Sequence, residues 1–375
     1  MDISELRKKI DGIDDRLLPL FLERMELASK IAECKRETGA PTAAPARERE
    51  ILAKVEENSG GLALYSHRLY KTIFGLSRAY QSSLSEPSGV GADIAASFTD
   101  GLFPQSGNVA CAGTEGAYAG LAAERFLPRG NVIWVNSFDA VFGAVKSGLC
   151  AYGVLPLENS SNGSVKRVFE LLAENGAGII ACAKMHIKHE LLAKPGTALS
   201  DITEVYSHEQ ALGQCSKFLS GLGKNVRLIP CASTADAAKK VAGSDGRCAA
   251  ISSRACAEIY SLESLCSDIS DSDNNYTRFI LISADKKIYP GADRVSMILT
   301  LPHKPGALYE MLSVPAALGV NLLKLESYPK VGSDFEFMFY VELQGDVRDK
   351  NVSAMLRDMQ TAADSFVFLG AFREL

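Results

Sequence analysis

Two groups of residues have types and spacings that could do chemistry. The first is cationic. Arg7, Arg24 and Lys35 lie in one N-terminal stretch, followed by Arg47, Glu48, Ser77 and Gln81. Apolar residues at 3, 6, 10, 13, 17, 20, 27 and 31 mark a heptad stripe, and Arg24 takes a seam position where leucine is expected. A guanidinium there needs a partner, because burying it unpaired is costly. Arg7 and Lys35 border the stripe, one residue past Leu6 and Cys34; either alone also fits an ordinary solvated helix charge. At 1.5 Å per residue, Arg24 and Lys35 are roughly 16 Å apart along one axis, and Arg7 and Arg24 roughly 26 Å. A ring-sized dianion can be reached by the first pair but not also by Arg7 of the same helix. If all three serve one site, Arg7 arrives from a second, antiparallel chain, which would also cover the long apolar stripe. Ser77 and Gln81, at i and i+4, project from one helix face.

The second group is polar and uncharged. Gly113-Thr114-Glu115-Gly116, Glu158-Asn159-Ser160-Ser161, Tyr206-Ser207-His208 with Gln214, and Asn275-Tyr276-Thr277-Arg278 fall where strand ends or loops are expected. Each alone reads as turn chemistry. The glycines of 113–120 do not spell G-x-G-x-x-G, so a dinucleotide is not the expected ligand. His208 is equally a candidate acid and a structural histidine.

These groups must be positioned by more than one domain, since 375 residues correspond to two or three. Residues 3–34 read as one long helix that Pro19 should kink unless neighbours hold it. Gly39, Pro41 and Pro45 break the pattern, and helices resume over 47–57 and 64–84, making 1–85 all helical. Residues 86–107, rich in Gly, Pro, Ser and Ala, read as a linker in which 94–98 can dock locally. Strands at 109–112, 132–135, 153–157 and 179–183 alternate with helices at 119–126, 138–146 and 165–174, giving an α/β domain over 108–287. After Pro290-Gly291, residues 293–375 read strand, helix, strand, strand, helix, strand, the βαββαβ order of a ferredoxin-like module.

Forty Lys plus Arg against 45 Asp plus Glu give a net charge of -5, without the basic excess of a nucleic-acid binder. No apolar run approaches the length of a membrane span, and the first residues have no apolar signal core, so a cytoplasmic location is expected. Nine scattered cysteines show neither C-x-x-C nor zinc spacing and read as mostly buried thiols.

With the motifs assembled, residues 1–85 resemble the all-helical chorismate mutase domain. The likeness rests on Leu6-Arg7-Lys8-Lys9-Ile10, Leu22-Glu23-Arg24, Lys35, Pro45-Ala46-Arg47-Glu48 and Ser77-Arg78-Ala79-Tyr80-Gln81. It implies that Arg7 (from a partner chain), Arg24 and Arg47 bind substrate carboxylates. Lys35 and Gln81 contact the ether oxygen, Glu48 meets the ring hydroxyl and Ser77 assists binding. Such a rearrangement needs positioning and electrostatics rather than a nucleophile. Ala44 stands where an aspartate is frequent in that family.

Residues 108–284 resemble prephenate dehydratase through Leu155-Pro156-Leu157-Glu158-Asn159-Ser160, Tyr206-Ser207-His208 with Gln214-Cys215-Ser216, and Thr277-Arg278-Phe279. The resemblance implies two α/β lobes around a cleft. Thr277 is then the catalytic hydroxyl and Asn159, Ser207 and Gln214 bind or orient prephenate, ahead of Glu158, Ser160, Ser161 and Arg278. Ala117 and Ala119 replace small hydroxyl residues of the commoner form. Residues 293–375 resemble an ACT regulatory domain, implying that Gly306, Ala307 and Leu308 together with Glu326 and Ser327 bind phenylalanine; Tyr328 stands where arginine is commoner. Gly306 at a helix N-terminus lets a carboxylate approach the backbone. A purely structural dimerisation module is the alternative.

The expectation is thus a multidomain, cofactor-free and metal-free homodimer or homotetramer that takes chorismate and prephenate as substrates and phenylalanine as effector, with no nucleic acid or membrane partner. An amino-acid sensor built on a dead enzyme is the competing reading; joint retention of Thr277, Asn159, Gln214 and the helical cations favours the enzyme.

Overall fold

A computed structural model describes residues 2–38, 44–84, 89–223, 226–244, 246–329 and 337–375. The chain divides into two compact units, Met1–Phe98 with Ala292–Phe368, and Thr99–Gly291 with Leu369–Leu375.

The first unit opens with α1 (Ile3–Thr38), α2 (Pro45–Ser59), α3 (Ala63–Ser83) and α4 (Val90–Ser97). Helix α1 is assigned without interruption through Pro19, so the proline does not divide it. The breakers Gly39 and Pro41, and Pro87 of the expected linker, lie outside the described residues. Pro45 starts α2, where its missing N–H costs nothing. Only Ala28 and Ala32 of α1 are buried; Ile3, Leu6, Ile10, Ile13, Leu17 and Leu20 along the stripe are 40–66% exposed. Part of the stretch expected as a linker at 86–107 is helical and overlaps the residues 94–98 expected to dock locally. Val90 and Ile94, four apart on one face of α4, are each 1% exposed, because a single apolar i,i+4 pair is enough to dock a short helix that its Gly and Ala content disguises.

The second unit runs β1 (Ser106–Ala112), α5 (Tyr118–Phe126), β2 (Arg129–Val135), α6 (Phe138–Lys146), β3 (Tyr152–Asn159), β4 (Gly163–Ser164), α7 (Lys166–Asn175) and β5 (Gly178–His186). It continues with β6 (Glu190–Ala193), β7 (Glu204–His208), α8 (Glu209–Gln214), α9 (Ser216–Gly221), β8 (Arg227–Cys231), α10 (Thr234–Ala242), β9 (Cys248–Ser252), α11 (Arg254–Ile259), β10 (Glu263–Cys266) and β11 (Tyr276–Ser283). One sheet has the order β5-β11-β3-β1-β2, the other β10-β6-β9-β7-β8. The unit is therefore two-lobed. The chain crosses between lobes twice, from β5 to β6 and from β10 to β11. Val109, Val154, Ala181 and Leu281 fill the core of the first lobe, and Leu191, Val205, Ala249 and Ile251 that of the second.

The rest of the first unit is β12 (Arg294–Thr300), α12 (Ala307–Ala317), β13 (Leu322–Pro329), β14 (Phe337–Gln344), α13 (Lys350–Ala362) and the start of β15 (Ser365–Glu374). β14 pairs antiparallel with both β12 and β13. Helix α3 packs against α12 and α13, and α4 against α13. The end of β15 belongs to the second unit, where Arg373 and Glu374 pair in parallel with β5.

Candidate active sites

Asn159 closes β3 and faces Thr277, near the start of β11, across an antiparallel pairing. Its Oδ1 accepts the backbone N–H groups of Ser161 at 2.9 Å and Asn162 at 3.0 Å. Backbone N–H groups can only donate, so the amide orientation is fixed. Nδ2 must then donate, and it reaches Thr277 Oγ1 and Asn275 Oδ1, each at 2.9 Å. With its oxygen accepting, Thr277 keeps its own proton for a ligand. The same logic runs on: Asn275 Nδ2 donates to Gln214 Oε1 at 2.9 Å, and His189 Nε2, 3.0 Å from that oxygen, is the protonated nitrogen. His189 is 3% exposed, and its Nδ1 is buried with no hydrogen-bond partner among the described residues. Burial draws the His189 pKa below its usual value, and the Gln214 bond only partly opposes this. The imidazole is neutral at pH 7.

Asn159, His189, Gln214 and Thr277 line a cleft of about 490 Å³. Its described lining contains no Lys, Arg, Asp or Glu. The first residues of α5, α6 and α10, and the residue preceding α7, border it instead. Unsatisfied N–H groups and positive dipole ends at such termini suit an anion. Gly116, at φ +87, lets the loop before α5 touch the second lobe, where a Cβ would lie 2.5 Å from Cys256 Sγ.

Several expected residues take supporting places. Ser207 is fully buried and donates to the Ile251 carbonyl at 2.7 Å, so its side chain ties β7 to β9 and does not line the cleft. Ser160 donates to the Asn274 carbonyl at 2.7 Å and accepts from Tyr276 N–H at 2.9 Å, tying the turn after β3 to the segment that enters β11. Arg278 pairs with Glu158 at 3.5 Å beneath the site. His208 caps α8, its Nδ1 accepting from Gln210 N–H at 3.3 Å, which uses it structurally.

In the first unit, Arg24 donates to Ser77 Oγ and lies over the Phe74 ring, 5.6 Å from its centroid. Burial pulls the Arg24 guanidinium down from its ordinary pKa, opposed by Tyr70 and by Glu48; the Glu48 carboxylate is thus within electrostatic reach. Gln81, 8% exposed, follows Ser77 by one turn of α3. Arg24, Glu48, Ser77 and Gln81 therefore lie on neighbouring helices. Arg47 does not join them: it is exposed and pairs with Glu50 at 2.9 Å. Arg7 is exposed and Lys35 half-buried on α1.

Comparison with known proteins decides the family. Residues 6–82 match chorismate mutase type II and residues 109–287 match prephenate dehydratase. A bifunctional chorismate mutase/prephenate dehydratase of Aquifex aeolicus is 30% identical over 379 residues, covering 99% of this chain and 98% of that one. The chain belongs to the bifunctional chorismate mutase/prephenate dehydratase family. It is an enzyme of phenylalanine biosynthesis with mutase and dehydratase activities. Among solved structures, a prephenate dehydratase from Arthrobacter aurescens in complex with L-Phe has a TM-score of 0.65 at 29% identity, covering 71% of this chain and 89% of that one. A chain described as GqqA, a quorum quenching acylase, has a TM-score of 0.66 at 28% identity, covering 72% and 98%.

Two polar residues of the dehydratase cleft network had no role assigned from sequence, His189 and Asn275. Both sit on the segments that cross between lobes, beside β6 and β11. In the C-terminal region of the bifunctional enzyme, Gly306 takes φ +83 at the N-terminus of α12. Glu326 pairs with Lys324 at 3.2 Å, Ser327 is exposed, and Tyr328 is buried. No helix among the described residues is long and apolar enough to cross a membrane.

Proposed function

We propose that the cleft converts prephenate to phenylpyruvate with Thr277 as the hydrogen-bond donor to the departing hydroxyl. The observation that carries this is the orientation of Asn159, fixed by two backbone N–H groups, which leaves the Thr277 proton free to point at substrate. Prephenate loses its ring carboxylate as CO2 and the opposite hydroxyl as water, taking up one proton, and aromatisation drives the reaction. A donor at that oxygen is what the chemistry needs. As charge builds on Thr277 Oγ1, the Asn159 amide stabilises it. Asn159 and Gln214 orient the substrate, and helix N-termini meet its carboxylates in a cleft lined without Lys or Arg.

In the helical site, Arg24 and the partner chain's copy of Arg7 clamp the two carboxylates of chorismate, joined by Arg47 when it exchanges its exposed pair with Glu50 for substrate. Lys35 and Gln81 stabilise charge on the breaking ether, Glu48 receives the ring hydroxyl and Ser77 assists. The exposed apolar stripe of α1 supports a second chain there, because a helix with one polar and one apolar face buries the latter. The assembly is at least a homodimer. An acylase reading is not favoured: His189 is bonded to Gln214 and His208 caps α8, so neither cleft imidazole is engaged as the base of a serine or threonine nucleophile.

The βαββαβ element order and the sheet order β13-β14-β12-β15 support a ferredoxin-like ACT module that binds phenylalanine through Gly306, Ala307, Leu308, Glu326 and Ser327 and lowers dehydratase activity. The similar Arthrobacter protein is described with L-Phe. Coupling requires the ligand to bind the less active state more tightly. Titrating phenylalanine against phenylpyruvate formation tests it. Inhibition in the wild type that weakens at least tenfold in Gly306→Val is expected, because a branched side chain is strained at that φ; equal inhibition in both would move the effector site elsewhere.

A further inference from the structure

Helix α3 turns Ser77 and Gln81 towards the mutase group and carries Arg78 between them. Arg78 Nη1 lies 2.5 Å from Glu48 Oε1, with both side chains partly buried, 31% and 25% exposed. A pair sheltered to this degree is a stronger restraint than a surface ion pair. Glu48 also lies within electrostatic reach of Arg24, so two guanidiniums compete for one carboxylate. Beyond Arg78, Asp358 of α13 accepts from Ser82 Oγ at 3.0 Å. Burial pushes the Asp358 carboxyl up to about 6, against Ser82, Arg78 and Arg357. Arg78 thus stands between a carboxylate of the mutase group and one from the C-terminal helix.

We propose that Arg78 is a positioning residue for the mutase reaction: it holds Glu48 Oε1, leaving Oε2 for the ring hydroxyl, and keeps the carboxylate off Arg24 so that Arg24 is available to a substrate carboxylate. This rests on the reading of Glu48 as the ring-hydroxyl contact. Without Arg78, Arg24 remains within electrostatic reach of Glu48, and an Arg24–Glu48 pair removes both from substrate recognition. The loss therefore operates through Glu48, and removing the Glu48 charge relieves it.

The test is a double-mutant cycle in the full-length protein, with mutase kinetics on chorismate for wild type, Glu48→Gln, Arg78→Met, Arg78→Lys and Glu48→Gln/Arg78→Met. Dehydratase turnover of added prephenate and the thermal midpoint report folding. Arg78→Met is expected to raise KM for chorismate about tenfold while kcat changes less than about threefold. Arg78→Lys, which keeps the charge but loses the planar fork, recovers part of that loss. In the Glu48→Gln background, Arg78→Met adds less than about twofold, the signature of residues acting as a unit. Independent, multiplying losses overturn the proposal, as does a wild-type KM in Arg78→Met. If Arg78→Met fails to fold, the partial KM defect of Arg78→Lys and its disappearance in Glu48→Gln/Arg78→Lys decide. An inert Glu48→Gln overturns the reading of Glu48 itself, whatever Arg78 does.

Discussion

Asn159 Nδ2 donates to Thr277 Oγ1 across 2.9 Å, and it can do so only because the other end of the amide is held by the backbone. Direction, not merely proximity, is what this pair supplies. An accepting threonine oxygen points its own proton elsewhere.

Reversing that direction should remove activity without removing bulk. Asn159→Asp is isosteric, and its carboxylate can only accept, so it would draw the Thr277 proton to itself. Dehydratase kcat is expected to fall about 10²–10³-fold, the usual cost of one misdirected transition-state donor. Steady-state phenylpyruvate formation from prephenate checks this; a loss confined to KM would assign Asn159 to ground-state binding alone.

Much of this pairing is legible in the sequence alone. Asn159, Gln214 and Thr277 stand in motifs whose residue types suit strand ends, and Arg24 announced itself by interrupting an apolar seam. The burial of Ser207 beside the cleft has a local signal. Along β7 burial alternates, with Val205 and Ser207 inside and Tyr206 and His208 less so, and period-two alternation puts Ser207 and His208 on opposite faces. His189 was not legible in that way. Its burial depends on two sheets closing around a short crossing segment, a long-range consequence that no spacing within residues 186–190 encodes. The docking of α4 is similar, since its partner α13 lies more than 250 residues away in sequence.

The buried neutral His189 makes a pH prediction whose sign is fixed. Its folded pKa lies below the ordinary 6.5, so the folded state binds fewer protons than the unfolded one in that region. The associated stability is fully present above about pH 6.5 and is lost as pH falls through the lower folded value. Thermal midpoints measured from pH 8 down to pH 5 should fall more steeply for wild type than for His189→Gln. Parallel curves would show that the imidazole is not held neutral by burial.

Arg7 and Arg24 are roughly 26 Å apart along one helix, so the proposed joint role of the two in one mutase site requires two chains. Arg7→Ala and Lys35→Ala proteins should each lose mutase activity by at least about tenfold. Mixed and allowed to exchange subunits, they should regain up to about a quarter of wild-type activity through hybrid sites that carry neither substitution. Exchange proven by differently tagged chains without any recovery would return the site to a single chain.

The central claim is that one chain carries two chemically independent sites, with Thr277 serving only the second. The most direct measurement is a time course from chorismate with Thr277→Val, following chorismate, prephenate and phenylpyruvate together. The account predicts chorismate consumption at the wild-type rate, accumulation of prephenate close to stoichiometric, and phenylpyruvate formation reduced about 10²-fold or more. Loss of chorismate consumption in the folded variant, or phenylpyruvate formed at an undiminished rate, would contradict it.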